Sequence, residues 1–468
     1  MSDSLDLLVI GSGPGGYRAA IYAALRGLKA AIVEKADWGG TCLNRGCIPK
    51  KDWHHTAKTI AKSAAFAQRG ISGGPLHGDL ATAWEHQEGV VAQVQESYVG
   101  FMDRIGVQKL RGHARLDGDG AVHIDGPEGG TYHPRHIILG TGSRPMSLDG
   151  VEPVAGKVLT TDMLFDQPAP PAGEVIVVGA GVIATEMAFI LSQLGCNVTW
   201  LATGKPLRKT KLTPQARGAL EKKLAEYGVE WHSGGRLAGT RVAGDRVVAE
   251  LDDGATFEAD WLLLGTGREP VTDDLGLEAA GVETDDRGFV QVDQYRRTSR
   301  DGVYAIGDCA NPRQTANHAM ADGVVAVKNI LAAESATADD DAVPEVVYSA
   351  LELARVGLDD DEAEDAGYEP AVGFTSFETN PKAVGTDATE GFTRLLVDMD
   401  EGTLLGGEIV GDNAGELIHV LTSHPDPDRA LADIAAGKFN HPAMAEEVLN
   451  STETLAANWG LGPEIFGE

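Results

Sequence analysis

The chain has 468 residues, more than one hydrophobic core organises, so about two to four domains are expected. Its 70 Asp and Glu against 39 Lys and Arg leave a net charge of −31, which argues against broad binding to nucleic acid or an anionic membrane. Such a balance suits a salty cytoplasm or an ordinary acidic enzyme, and 4 cysteines are too few for a secreted disulfide scaffold.

The opening "MSDSLDLLVIGSG" has no basic n-region and no long apolar run, so neither a signal peptide nor a membrane span is expected, and the chain reads as cytoplasmic. "LDLLVIGSGPGGYRAAIYAALRGLKAAIVEK" reads as strand, glycine turn, amphipathic helix, second strand and acid. Gly11, Gly13 and Gly16 have the GxGxxG spacing: the first two permit a tight turn and close approach to a pyrophosphate, and the third lets the helix pack on the strand. Glu34 closes the second strand, where a carboxylate can accept a ribose hydroxyl.

"GGTCLNRGCIPKK" (39–51) follows, with Gly40 and Thr41 leading into Cys42 and, five residues on, Cys47. That spacing is not a metal knuckle, and no other cysteine or histidine pair completes a four-ligand set, so no metal site is expected. A structural staple fits poorly in a reducing compartment. Pro49 predicts a helix from there, with both cysteines in or near its first turns, where the dipole, Lys50 and Lys51 would favour thiolates.

Further along, "HIILGTGSRP" (136–145) is a strand ending in a turn with Thr141 and Gly142. A second strand–glycine–helix unit, "EVIVVGAGVIATEMAFILSQLGCNVTWLATGK", carries Gly179 and Gly181, with Ala184 at the third position. "DWLLLGTGREP" (260–270) echoes the first strand-turn and contains Gly267. "GVYAIGDCAN" (302–311) runs into Gly307 and Asp308 ahead of a helical stretch over 316–331. The polar connector 332–345 marks a boundary, and the remainder alternates strands with helices over 414–421 and 442–458.

In combination and order, these motifs resemble the flavoprotein disulfide reductases, the family of dihydrolipoamide dehydrogenase and glutathione reductase, over nearly the whole chain. The resemblance implies an α/β fold with two Rossmann-like dinucleotide-binding domains, for FAD and NAD(P), and a C-terminal α+β dimerisation domain. The expected division is 1–150 and 269–340 for the FAD and central domain, 151–268 for the NAD(P) domain and 341–468 for dimerisation. By the same resemblance Cys42 and Cys47 are a redox pair, with Cys47 against the flavin and Cys42 meeting the substrate. Lys51 matches the lysine beside the flavin, Glu186 its ion-pair partner, and Asp308 the aspartate on the ribityl chain. His441, in "FNHPAMAE", matches the acid–base, with Pro442 starting a helix and Glu446 orienting the imidazole. The family places this histidine across a two-fold interface, so a homodimer is expected.

Three departures bear on substrate and cofactor. The second nucleotide fold has Leu201, Ala202 and Thr203 where NAD users carry an acid. Lys205, Arg208, Lys209 and Lys211 follow, and Arg208 falls where NADP users place a phosphate-binding arginine, so the coenzyme stands between NAD(H) and NADP(H). Arg45 and Lys50 replace apolar or hydroxylic residues, and Lys50, His54, Lys58 and Lys62 recur on one helix face: either a solvated charged face or a dock for an anionic substrate or acidic carrier. His54 and His55 otherwise read as surface residues. Finally, "VVYSALELARVGL" lacks the family's Glu-Pro pair, while "GDNAGELIH" (411–419) sits closer to dihydrolipoamide dehydrogenases. The leading expectation is electron exchange between a lipoyl dithiol, free or on a carrier domain, and NAD(P). The alternative is an NADPH-dependent reductase of a small anionic disulfide such as glutathione or γ-glutamylcystine. A mercuric reductase is disfavoured because "LGPEIFGE" has no cysteine pair, and a purely structural subunit would need neither the cysteines nor His441.

Overall fold

The apolar tetrapeptide Leu7–Ile10 forms β1, buried on both faces as expected of a central parallel strand. The chain continues through α1 (Pro14–Leu25) and β2 (Ala30–Glu34). The computed structural model describes residues 5–467, and their contacts define two units. The first comprises residues 5–179, 191–203 and 234–338; the second comprises 180–190, 204–233 and 339–467. This division cuts across the 151–268 stretch, and its last boundary, at 338/339, falls inside the polar connector.

In the first unit a five-stranded parallel sheet runs Val303–Ala305, His136–Leu139, β1, β2 and β3 (Gln108–Arg111). Strand order reverses beside β1, which opens a crevice at the carboxyl ends of the strands, the usual seat of a dinucleotide. A second parallel set runs Asn197–Ala202, Glu174–Val178, Trp261–Leu264 and Val158–Thr160.

In the second unit Glu345–Tyr348, Glu352–Gly357, Leu404–Gly411, Phe392–Asp398 and Pro370–Ser376 form an antiparallel sheet in that order. Its core includes Phe377, Leu395, Val397, Ile409, Val448 and Leu455, the last two from the helix Glu446–Trp459.

One local expectation is refined and two are corrected. The helix expected through Pro49 is α3 (Cys47–Lys62), with Cys47 its first residue; Cys42 lies in a separate short helix, α2 (Gly40–Arg45), the two broken at Gly46, whose φ of −139° and ψ of −100° are not helical. The helix expected from Pro442 begins at Glu446. Glu446 turns its carboxylate back onto the Ala443 N–H (2.7 Å), so residues 441–445 form a turn closed by the first helical side chain. The 414–421 stretch is two short helices, Ala414–Leu417 and His419–Thr422. Among the described residues no helix is long and apolar enough to cross a membrane.

Candidate active site

The turn after β1 is shaped by backbone crowding. Gly11 has φ +101°, and a Cβ there would run into the Gly140 carbonyl oxygen; one on Gly16 would run into the Gly11 carbonyl. Space beside Gly13 is open, as close approach of a pyrophosphate requires. Buried Glu34 ends β2 and accepts hydrogen bonds from Ser12 N–H (2.9 Å), Ser12 Oγ (2.7 Å) and Ala36 N–H (2.8 Å). Ser12 Oγ in turn accepts from Gly39 N–H (3.0 Å), and a Cβ on Gly40 would meet the Gly13 backbone. The segment leading to the cysteines is thus bolted to the dinucleotide turn.

Cys42 lies in α2 and Cys47 is the first residue of α3; they form a disulfide with Cα atoms 4.7 Å apart. The sixteen-residue helix behind Cys47 directs its positive end at that sulfur, which favours a thiolate after reduction. Buried Trp53, two turns on, packs on Trp84 (5.4 Å between centroids) and Phe165 (5.1 Å) and donates to the Ala83 carbonyl (3.1 Å). His54 is buried rather than at the surface, which breaks the proposed cationic stripe after Lys50. Arg45 is not a free docking cation either: Nη2 meets Asp37 at 2.7 Å and Nε meets Asp166 at 2.5 Å. Burial alone would lower its pKa, but the Asp166 and Asp37 carboxylates raise it above the ordinary value. The free cysteines are poor redox partners, since burial pushes the Cys196 thiol up to about 11 and raises that of Cys309.

Asp308 follows Val303–Ala305 in the same unit. Burial pushes its carboxyl up, opposed by Ser143 Oγ, which donates to it at 2.6 Å. Arg268 Nε donates to Ser143 Oγ (2.7 Å) and Nη1 to Asp162 (2.9 Å). The neighbouring Gly307 N–H is fixed by Asp322 (3.0 Å), itself paired with Arg296 at 2.7 Å. Thr141 Oγ1 donates to the Val271 carbonyl (2.5 Å), and Gly142 has φ +77° with open space beside it. A glycine cradle that leaves room at Gly13 and Gly142, with carboxylates at Glu34 and Asp308, fits the phosphate, ribose and ribityl groups of FAD.

In the second glycine turn, the Gly179 carbonyl accepts from the buried Trp200 indole (2.7 Å). Gly181 precedes the helix Val182–Gln193 and faces open space, and Ala184 in its first turn is buried. Gly267 has φ +117°. Arg208 is exposed and lies over Gly204, so near that a Cβ there would sit 3.2 Å from its Nε. Lys205 pairs with Glu221 (3.1 Å), whereas Lys211 is committed to Asp341 (2.9 Å) and Glu362 (2.5 Å).

The second unit carries His441, with Nδ1 2.9 Å from Glu446 Oε1. The His441 bond, then the Ala443 N–H, holds the Glu446 carboxyl below the usual glutamate range. The His441 side chain is 73% exposed. Glu186 is buried and accepts from Tyr348 N–H (2.8 Å), so it is not a solvated helix glutamate. Lys51 is half-buried on α3 in the other unit.

The pattern of the family "Pyridine nucleotide-disulphide oxidoreductase" matches residues 5–323, and that of its dimerisation domain matches 343–452. The chain belongs to this family. A dihydrolipoyl dehydrogenase from Haloferax volcanii is 35% identical over 96% of this chain and 95% of that protein. Another from Thermus scotoductus is 36% identical over 96% and 97%, and a leghemoglobin reductase from Vigna unguiculata is 33% identical over 96% and 87%. In fold, LpdA from Mycobacterium tuberculosis matches with a TM-score of 0.88 at 24% identity, covering 96% of this chain and 99% of that one. The HOCl-induced flavoprotein disulfide reductase RclA from Escherichia coli matches at 0.82 and 22% identity, covering 96% and 99%. The protein is thus a flavoprotein disulfide oxidoreductase with Cys42–Cys47 as its redox-active pair, from a family that binds FAD and a pyridine nucleotide. Its dimerisation domain implies a homodimer.

Sequence reasoning missed several oxidoreductase residues that support this site. Ser12, inside the GxGxxG turn, joins Glu34 to the redox segment; Ser143 and Arg268, each inside a quoted glycine motif, support Asp308. Their motifs were visible, but their partners lie 22 to 165 residues away. Asn380 had no local signal: it donates to the Ala443 carbonyl (3.1 Å) and to buried Glu447 (3.1 Å), anchoring the His441 turn.

Proposed function

We propose that this flavoprotein is a dihydrolipoyl dehydrogenase, oxidising a lipoyl dithiol, free or on a carrier domain, with NAD(P) as acceptor. The observation that carries the reading is the Cys42–Cys47 disulfide at the start of α3, bolted through Gly39 and Ser12 to the dinucleotide turn. The dihydrolipoyl dehydrogenases among its relatives support the choice of lipoyl substrate.

In this reading a substrate thiolate attacks Cys42 Sγ, the Cys42–Cys47 bond breaks, and Cys47 leaves as a thiolate favoured by the α3 dipole; the second substrate thiol then displaces Cys42, which closes the lipoyl disulfide and leaves both cysteines reduced. His441 takes the substrate proton; its bond from Nδ1 to Glu446 orients the ring so that Nε2 is the working nitrogen. His441 lies exposed in a single chain, which suits a homodimer in which it serves the other chain's redox pair. Gly11, Gly13, Gly16, Glu34, Gly40, Thr41, Lys51, Thr141, Gly142, Gly307 and Asp308 would hold FAD, with residues 1–150 and 269–340 forming its domain. Gly179, Gly181, Lys205, Arg208 and Gly267 would serve the nucleotide in 151–268, with Glu186 a further candidate for the redox chemistry; residues 341–468 would form the dimer. When bound, the flavin supplies the two-electron chemistry linking dithiol to nicotinamide. We place the enzyme in the cytoplasm.

A second reading, an NADPH-dependent reductase of a small anionic disulfide, is favoured by Ala202 and Thr203 at the end of Asn197–Ala202 and by the exposed Arg208. Anaerobic titration with NADH and NADPH, followed by reoxidation, separates the two. A thiolate-to-flavin charge-transfer band with rapid recovery in lipoamide supports the first reading; recovery only in glutathione disulfide supports the second. Flavin reduction without that band would sink both.

A further inference from the structure

Arg45, between the two cysteines, also holds the redox segment. Arg45 is the last residue of α2, next to the non-helical Gly46 and two residues before Cys47. Its guanidinium reaches Asp37, in the loop after β2, and Asp166, the C-terminal cap of the short helix Thr161–Phe165. Both anchors stand on fixed ground. The Asp37 side is pinned by Asn44 Nδ2, which donates to the Trp38 (3.1 Å) and Gly40 (2.9 Å) carbonyls, and by Gln95, which donates to Trp38 O (3.1 Å) and Asn44 Oδ1 (3.0 Å). The Asp166 side is held by the Arg268–Asp162 pair (2.9 Å), by buried Leu164, and by Phe165 packed on Trp53 of α3 (5.1 Å).

We infer that Arg45 is a positioning residue that keeps α2 and α3 in register when the Cys42–Cys47 bond is open. With the disulfide closed, the two helices are joined covalently on both sides of Gly46. Once it is reduced, only the Gly46 backbone and the surrounding packing keep the thiols together, and the pair recloses only as often as they meet. A two-pronged guanidinium clamp restricts the open form and thereby raises the effective concentration of one thiol at the other. The Arg45 side chain is 20% exposed while Asp37 and Asp166 are about half exposed, so solvent screens each bond in part and the clamp depends on the two prongs acting together. The chain connecting Asp166 to Asp162, Arg268 and Ser143 also ties this clamp to Asp308.

This inference rests on the redox role of the pair and needs no particular substrate or coenzyme. The test equilibrates the purified full-length protein in dithiothreitol buffers of graded ratio. Each turnover of the equilibrium passes two electrons and two protons to Cys42–Cys47 and leaves the reagent as its ring disulfide. Acid quenching, alkylation and mass measurement then count the open pair. Arg45→Met is expected to shift the equilibrium toward the dithiol about tenfold, a potential higher by about 30 mV for a two-electron couple. Asp166→Asn should shift it the same way, Arg45→Lys less, and Arg45→Met with Asp166→Asn no further than Arg45→Met alone. A change within about twofold in both single variants overturns the clamp, as does additivity in the double variant. A shift toward the disulfide would mean that Arg45 acts only as a charge favouring thiolates, and would also overturn it. A wild-type pair that stays closed in every buffer would remove the redox reading and the clamp with it. Should Arg45→Met fail to fold, Arg45→Lys and Asp166→Asn carry the same comparison.

Discussion

The two chemical centres are built in opposite ways. The Cys42–Cys47 segment is tied to its own unit by Ser12, Asn44, Gln95 and the Arg45 clamp, with Trp53 buried behind it. The His441–Glu446 turn is tied from behind by Asn380, yet presents its imidazole outward. A disulfide that must open and reclose gains from immobilised thiols. An acid–base residue that meets substrate on another chain must be presented at a surface, and only its orientation needs fixing. The redox pair is complete within one chain, whereas the proposed acid–base is exposed, as its proposed role toward a second chain requires.

The sharpest break in that comparison is to disable each half separately. Cys42→Ser or Cys47→Ser should lower disulfide turnover on the order of 10^4-fold in a steady-state assay, with flavin content kept. His441→Gln should lower it about 10^2- to 10^4-fold, mainly in kcat. Mixing subunits of Cys47→Ser with those of His441→Gln tests whether the halves come from different chains. Random dimers should regain about one quarter of the working sites, while halves from one chain would give no recovery.

Of smaller effect, Trp53→Ala should destabilise the fold by about 3–5 kcal/mol in urea unfolding, because it empties a fully buried ring site behind the redox pair. A cost near that of a surface substitution would show that α3 is held from elsewhere. Arg208→Ala should raise KM for NADPH about tenfold and leave KM for NADH nearly unchanged, as loss of one guanidinium–phosphate contact predicts; equal changes would remove Arg208 from specificity.

The smallest effect concerns pH. Glu446 has a folded pKa below its unfolded one, chiefly through His441 and then the Ala443 N–H. Its contribution to the turn is therefore present above the ordinary glutamate range and lost as pH falls through the lower folded value. The Tm difference between wild type and Glu446→Gln should narrow toward acid over about pH 3 to 6. A difference that widened there would reverse the assignment.

Much of the fold was legible in the sequence because the signals were local. Gly11 and Gly16 mark a turn that admits no side chain, Ala316–Leu331 shows its helical period, and Phe392–Asp398 and Leu404–Gly411 read as strands. Errors arose where a local signal met a distant partner. Pro49 marked the helix that opens at Cys47, but not the break at Gly46 that places Cys42 in a helix of its own. Pro442 suggested another, but Glu446 folds back on Ala443 and His441 and delays the helix. Arg45 and His54 looked like exposed charge because nothing near them in the sequence signals the distant Asp166 carboxylate or the burial that receives them.

By itself the sequence determined the order of the strand–glycine–helix units, the spacing of the two cysteines and the pairing of His441 with Glu446, since residues close in the chain need only backbone geometry to meet. Tertiary structure alone decided which charges are spent on ion pairs, which carboxylates are buried and how the redox segment is held. Arg45 and Asp166 lie 121 residues apart, and Ser143 and Asp308 lie 165 apart. Such contacts form only when sheets and helices pack, so no local pattern records them.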